Sequence, residues 1–375
     1  MKQHRHELLA PLPGTARAVE SFHYGPEGAG KVYIQASLHA DEIPGMLVAW
    51  HLKQRLAELE QAGRLCREVV LVPVANPVGL EQILMDTALG RYELESGDNF
   101  NRWFLDLSQQ VGDDVEAALG SDAQANAALV RKALRRALEA EQPLTQLQSL
   151  RLTLQRLACD AEMVLDLHCD FEAVEHVYTT PDAWPQVEPL ARYLGSQANL
   201  LATDSGGQSF DECFSLLWHK LGVRFGDRFP IPQGSFSVTV ELRGQVDVSH
   251  ALASRDAQAI ISYLEHYGAI QSGPNAPAAP LPELLYPATP LAGVEPISTP
   301  VGGVLVFCCM PGEYLEAGQL IAEIIDPITD RVTQVHNEKP GLLYARSLRR
   351  MATAGMVVAR IAGAEAYRSG YLLSP

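Results

Sequence analysis

The sequence predicts an α/β protein, a mixed sheet flanked by helices, followed by a smaller all-β barrel or sandwich-hybrid unit. Three observations carry this. From about residue 31, short β-branched runs alternate with stretches of helical period, the pattern of an α/β sheet. Six prolines fall between Gly273 and Pro290, marking 271–290 as a linker or an extended packed crossover. Beyond it, short strands are punctuated by Gly302-Gly303, Pro311-Gly312 and Pro340-Gly341, with no convincing helix. The chain of 375 residues is long enough for two or three domains at about 150 residues each. The expected division is 1–270, 271–290 and 291–375.

Taken in order, Lys31–Leu38 (KVYIQASL) reads as a strand. Met46–Leu59 reads as a helix with Val48, Leu52, Leu56 and Leu59 on one side, and Glu68–Val74 as a second strand. Residues 105–160 read mostly helical: Leu129, Ala133, Leu134 and Leu138 recur at helical spacing, Pro143 breaks the run, and Leu147–Leu157 resumes it. Strands return at Met163–Leu167 and Phe236–Glu241. A helix near Ala253–Tyr267 stops at Gly268, a residue suited to the left-handed position after a helix end.

The tail repeats itself weakly. Pro300-Val-Gly-Gly-Val-Leu-Val precedes Ala317-Gly318, and Pro340-Gly-Leu-Leu-Tyr precedes Ala354-Gly355. Two halves of about 40 residues suggest paired hammerhead turns. This resembles biotinyl and lipoyl domains in fold only: the turn between the halves, Asp326-Pro-Ile-Thr-Asp330, lacks the lysine a carrier needs.

Charged residues are 20% of the chain and apolar residues 47%, with a mean hydropathy of −0.02. This composition excludes a disordered or collagenous chain. The balance of 29 basic against 45 acidic residues, formally −16, repels phosphate backbones and anionic membranes, so neither nucleic acid nor a membrane is expected as a partner. An anionic small substrate stays compatible, because local arginines or a metal ion can invert the potential inside a cleft. No apolar run approaches the roughly 18 residues of a membrane span, and the N-terminus lacks a signal-peptide apolar core. Six cysteines occur without a CxxC pair, which points to reduced thiols and a cytoplasmic protein.

Four segments carry candidate chemistry. His39-Ala-Asp-Glu42 follows the first strand directly, and an HxxE unit can aim an imidazole and a carboxylate at one zinc ion. His168, in Asp166-Leu-His168, sits at another strand's carboxyl end, where ligands of open α/β sheets bind. Glu241 closes a third strand; it could move a proton to and from a metal-activated water, or pair with Arg243. The segment from Gly90 to Phe104 supplies Arg91, Asn101 and Arg102, suited to a carboxylate, or forms a solvated loop with Asp98–Arg102 pairing. Each motif alone has a structural explanation, but three strand ends delivering matched residue types favour a site.

These motifs, in this order, resemble the zinc carboxypeptidase-like superfamily, most closely its succinylglutamate desuccinylase/aspartoacylase branch. The resemblance implies that His39, Glu42 and His168 bind one Zn2+ per chain. It further implies that Glu241 is general base and acid, Arg91 polarises the scissile carbonyl, and Asn101 and Arg102 hold a substrate carboxylate. The implied activity is amide hydrolysis of an N-acylated amino acid or a similar small amide; a metallocarboxypeptidase and a non-catalytic binding protein are the competing readings. The segment Glu-Ser-Gly-Asp-Asn-Phe before Asn101 departs from the family's simplest pattern. The 105–160 insertion could be a lid or a homo-oligomer contact. Asp166 either orients a ligand or faces away from the site.

Overall fold

The computed structural model describes residues 1–273 and 279–373. Nine strands form one mixed sheet: β1 Lys2–Glu7, β2 Ala18–Tyr24, β3 Lys31–Ala36, β4 Glu68–Val72, β5 Met163–Asp170, β6 His176–Thr179, β7 Ala198–Leu201, β8 Phe236–Gly244 and β9 Ala288–Pro290. Their order across the sheet is β1-β2-β4-β3-β5-β8-β6-β7-β9. The central β4-β3-β5-β8 run is parallel, whereas β1–β2, β2–β4 and β8–β6 are antiparallel. Strands such as EVVLV and MVLDLHCD are buried along nearly their whole length because helices cover both faces of the sheet.

Seven helices do the covering: α1 Pro44–Gln61, α2 Ser108–Val115, α3 Ala123–Ala140, α4 Gln146–Ala158, α5 Trp184–Leu194, α6 Glu212–Phe225 and α7 His250–His266. Helices α1, α5 and α7 pack Leu52, Val187 and Ile260 with Ile34, Leu165 and Val238 of the sheet. Helices α2, α3, α4 and α6 pack Val111, Leu134, Leu150 and Leu217 with Tyr33, Val70 and Val164 on the opposite face. The 105–160 stretch is thus three helices closing one face of the core, with Pro143 between α3 and α4 as expected. Asp122 and Thr145 cap α3 and α4, their side chains accepting backbone N–H groups of Ala125 and Gln148. Gly268, after α7, has φ +78°.

Strand β3 ends at Ala36, two residues before the predicted end, because Ser37 turns at φ +66°. The hydrophobic pattern does not mark β1, β2, β6, β7, α5 or α6. β1 is an exposed polar edge (KQHRHE), and β6 and β7 have only four residues each, too few to show a period.

The C-terminal region is all β, as predicted. Its strands are β10 Val294–Ser298, β11 Gly303–Phe307, β12 Tyr314–Leu315, β13 Leu320–Asp326, β14 Arg331–His336, β15 Gly341–Arg346, β16 Met351–Ala352 and β17 Val357–Ala362. They form two sheets, β10-β17-β15-β12 and β14-β13-β11-β16, enclosing Leu305, Ile321, Ile324, Leu343 and Ile361. This unit is anchored to the large sheet. Glu172–Ala173 pairs with β15, β9 joins the edge at β7, and Val174, Leu200, Leu291, Val294 and Tyr344 share one core. Residues 274–278 of the predicted linker lie outside the described residues.

Leu165 sits fully buried at the middle of β5. Leu165→Ala is expected to lower the unfolding free energy by about 2–5 kcal/mol, measured by urea denaturation.

Candidate metal centre and substrate cavity

Three adjacent strands deliver the polar centre. β3 pairs in parallel with β5, Ala36 opposite Leu167, and β5 pairs in parallel with β8, His168 opposite Glu241. Their carboxyl ends therefore lie level. After β3 the chain makes a turn closed by Glu42 N–H donating to His39 O at 3.1 Å, and Ala40 N–H donates to Gly90 O at 2.9 Å. The turn puts the two ends of HxxE on one side, and Pro44 starts α1 immediately afterwards.

The Glu42 carboxylate is the focus. Its Oε1 lies 2.9 Å from His39 Nδ1 and accepts from Arg91 at 3.0 Å. Its Oε2 lies 2.8 Å from His168 Nδ1 and accepts the Cys169 N–H at 3.1 Å. One ligand atom each from His39, Glu42 and His168 lies within 4.8 Å of the others, and all three residues are buried.

The outer nitrogens face oxygen as well. His39 Nε2 is 2.8 Å from Asn99 Oδ1, an atom that also accepts the Asn101 N–H at 2.9 Å, which fixes the amide's orientation. His168 Nε2 is 2.9 Å from Asp166 Oδ2, and Asp166 Oδ1 accepts from Gln35, which in turn accepts from Tyr33. At His39, Nε2 faces the Asn99 oxygen while Nδ1 faces Glu42 and, at 3.4 Å, Arg91, so a ring protonated at Nε2 keeps its Nδ1 lone pair for a cation. Burial and the nearby Arg91 push His39 down to about 4, which disfavours the protonated form. Two imidazoles and a carboxylate converging in this way fit a metal ion.

The other titrations follow from the same crowding. Burial opposes charge on His168, yet Asp166 and Glu42 hold its imidazole well above the usual range. Burial likewise opposes charge on Glu42, but His39 and His168 keep it well below. Glu241 is pushed well above the ordinary carboxylate range by burial and then by the Glu42 charge. Its Oε2 is buried with no hydrogen-bond partner among the described residues.

All seven residues picked from the sequence, His39, Glu42, Arg91, Asn101, Arg102, His168 and Glu241, line one cavity of about 300 Å3. Arg243 pairs with Glu175 and Asp256 at 2.9 and 2.5 Å, so it is not the partner of Glu241 that the sequence allowed. Asp98 lies 3.5 Å from Arg151. Arg91 faces Glu42, whereas the Asn101 side-chain oxygen accepts the Phe210 N–H at 2.8 Å, and buried Arg102 donates to Asn101 O at 2.7 Å.

The sequence missed Asn99, Arg360, Asp211, Glu212 and Leu373, the last four of which line the cavity. It left Asp166 undecided and gave Tyr178 no role. For Asp166 a signal existed: i and i+2 on a strand share a face, so Asp166 had to point the same way as His168. Arg360 and Leu373 come from the C-terminal region, and no local pattern relates them to strand ends far earlier in the chain.

A mixed α/β sheet whose parallel centre presents a buried His–Glu–His cluster beside a glutamate whose Oε2 has no hydrogen-bond partner among the described residues belongs to the class of proteins with a candidate mononuclear metal site at strand ends. Residues 29–140 match the family described as succinylglutamate desuccinylase/aspartoacylase catalytic domain. Among solved structures, a succinylglutamate desuccinylase/aspartoacylase family protein from Shewanella amazonensis SB2B is 23% identical, covering 96% of this chain and 98% of that one with a TM-score of 0.83. The product-bound ectoine utilization protein EutE (DoeB) from Ruegeria pomeroyi is 14% identical over 97% and 95%, with a TM-score of 0.67. A succinylglutamate desuccinylase/aspartoacylase from Rhodobacter sphaeroides is 15% identical over 97% and 96%, with a TM-score of 0.63. A comparison with curated proteins finds no match. The resemblance to the succinylglutamate desuccinylase/aspartoacylase family is therefore one of sequence over 29–140 and of fold over nearly the whole chain.

A Cβ at Gly90 would lie 2.3 Å from Asp41 N and 2.6 Å from the Ala40 carbonyl carbon. Gly90→Ala is expected to cost about 1–3 kcal/mol by displacing the His39–Glu42 turn, read as a lowered urea midpoint.

Proposed function

We propose that the chain is a zinc-dependent hydrolase that cleaves the amide bond of an N-acylated amino acid or a similar small carboxylate-bearing amide. The observation that carries the reading is the convergence of His39, Glu42, His168 and Glu241 from three neighbouring strand ends into one cavity. His39, Glu42 and His168 would hold the zinc ion, which when bound supplies Lewis-acid polarisation of the amide carbonyl and makes water acidic enough to attack.

The protein's own groups do the rest. Glu241, whose Oε2 has no competing partner among the described residues, takes a proton from the attacking water and passes it to the leaving amine nitrogen. Its raised proton affinity suits it to hold that proton between the two steps. Arg91 presents its guanidinium at the same centre and stabilises the charge that develops on the carbonyl oxygen. Asn101 and Arg102, both in the cavity lining, receive the substrate carboxylate. Asn99 and Asp166 hold the two imidazoles in orientation and keep their Nδ1 atoms directed inward.

Residues 1–270 are read as the catalytic unit and 291–375 as a β-domain joined through 271–290. Leu291, Arg360 and Leu373 line the cavity, and this wall favours a small substrate over a peptide. A cytoplasmic location belongs to the same reading; the six cysteines are all free thiols, and no helix among the described residues is long and apolar enough to cross a membrane.

Metal analysis and kinetics test the assignment together. His39→Ala is expected to lose the metal. Glu241→Gln is expected to keep it while kcat falls by about 10²–10⁴. On a panel of N-acetyl and N-succinyl amino acids beside short peptides, turnover of peptides alone would overturn the deacylase reading in favour of a carboxypeptidase. Asn99→Leu is expected to weaken metal binding by about 10–100-fold, measured by competition with a chelator.

A further inference from the structure

The cavity walls differ in chemistry. Around the metal cluster and Arg102 they are polar, but another part is built from Leu200, Ala202, Leu291 and Leu373. Leu200 and Leu291 are buried side chains of the core that joins the large sheet to the C-terminal region, and Ala202 and Leu373 pack against that core. The wall is fixed from two directions. Ala202, just past β7, donates its N–H to Thr179 O at 3.0 Å, and Leu372 N–H donates to Ser205 O at 2.9 Å, holding Leu373 beside it.

The cation nearest this wall is matched, and Glu212, whose Oε1 accepts the Ser205 N–H beside Leu372 at 2.6 Å, adds a carboxylate that would repel a second anion. Arg360, reaching in from β17, lies 3.5 Å from the Asp170 carboxylate. Tyr178 donates its hydroxyl to Tyr344 at 3.4 Å. A second carboxylate on the substrate would have to compete with Asp170 for Arg360 and leave its remaining contacts against leucine, whereas an aliphatic or aromatic group would lose only water there.

Resting on the deacylase reading, we propose that the substrate carries an apolar substituent seated on Ala202 and Leu373, which buried Leu200 and Leu291 back from behind, with Leu373 and Ala202 setting its size. The amide is thus an N-acyl amino acid with one carboxylate for Arg102 and an uncharged hydrocarbon group elsewhere. That group is either the amino-acid side chain or the acyl chain.

Calorimetric binding to the zinc-loaded Glu241→Gln protein tests this without turnover. The ligands are N-acetylglycine, N-acetylleucine, N-hexanoylglycine, N-acetylaspartate and N-succinylglycine. At least one of N-acetylleucine and N-hexanoylglycine is expected to bind about ten-fold or more tighter than N-acetylglycine; which one gains tells whether the side chain or the acyl chain occupies the wall. Ala202→Phe, added to the same protein, is expected to abolish that gain by filling the space. The proposal is overturned if N-acetylaspartate or N-succinylglycine binds tightest, if neither apolar ligand gains, or if Ala202→Phe leaves the ranking unchanged. Hydrolysis of the same five compounds by the unaltered enzyme decides the deacylase reading separately: turnover that favours the acidic pair would sink the apolar wall and keep the deacylase.

Discussion

The carboxylate of Glu42 is the group around which the rest of the site is arranged. It is 2% exposed, and an isolated charge so placed would be costly enough to neutralise itself. It stays ionised because His39, His168, Arg91 and the Cys169 N–H all point at it. Removing any one of these leaves acceptor capacity unmatched in a dry place. The sheet supplies the means. Only parallel neighbours in register bring three strand ends to one level, and β3, β5 and β8 are such neighbours.

The same sheet then has to turn Glu241 inward and Arg243 away. β8 loses register with β5 between Glu241 and Gly244, and Arg243 adopts φ +66°, an irregularity typical of strands that re-aim side chains beside a site. Arg243 is held in this conformation by buried Glu175 and Asp256. Burial and the charge of Asp256 push Glu175 up to about 7, so this support is itself a crowded buried network, and Glu241 gains its freedom from ion pairing through it. The bulge and the network together leave Glu241 in the cavity lining with its Oε2 unpartnered among the described residues.

Closure of the cavity depends on long-range packing. Glu172–Ala173 extends the C-terminal sheet, and Tyr344, Leu291 and Val294 share a core with Leu200. Arg360 and Leu373 become walls of the cavity because that core holds the β-unit against the edge of the large sheet. On the other side, the main-chain N–H groups of Trp103 and Phe104 donate to Gly207 O and Gln208 O. The segment carrying Arg102 is thereby tied to the loop that follows β7.

Much of this was legible in the sequence. The strands within KVYIQASL, EVVLVPV and MVLDL, the helices flanking Pro143 and the glycine-punctuated tail follow from periodicity and turn residues, because those signals are local. His39, Glu42, His168 and Glu241 were legible because a strand end is a local feature and each carries a chemically distinctive residue. What sequence alone could not decide was partnership. That Asn99 faces His39, that Arg243 turns from Glu241 toward Glu175 and Asp256, and that Arg360 and Leu373 complete a cavity all depend on contacts between segments far apart in the chain. Such contacts are set by how the sheets and helices pack in three dimensions, and no spacing along one segment encodes them.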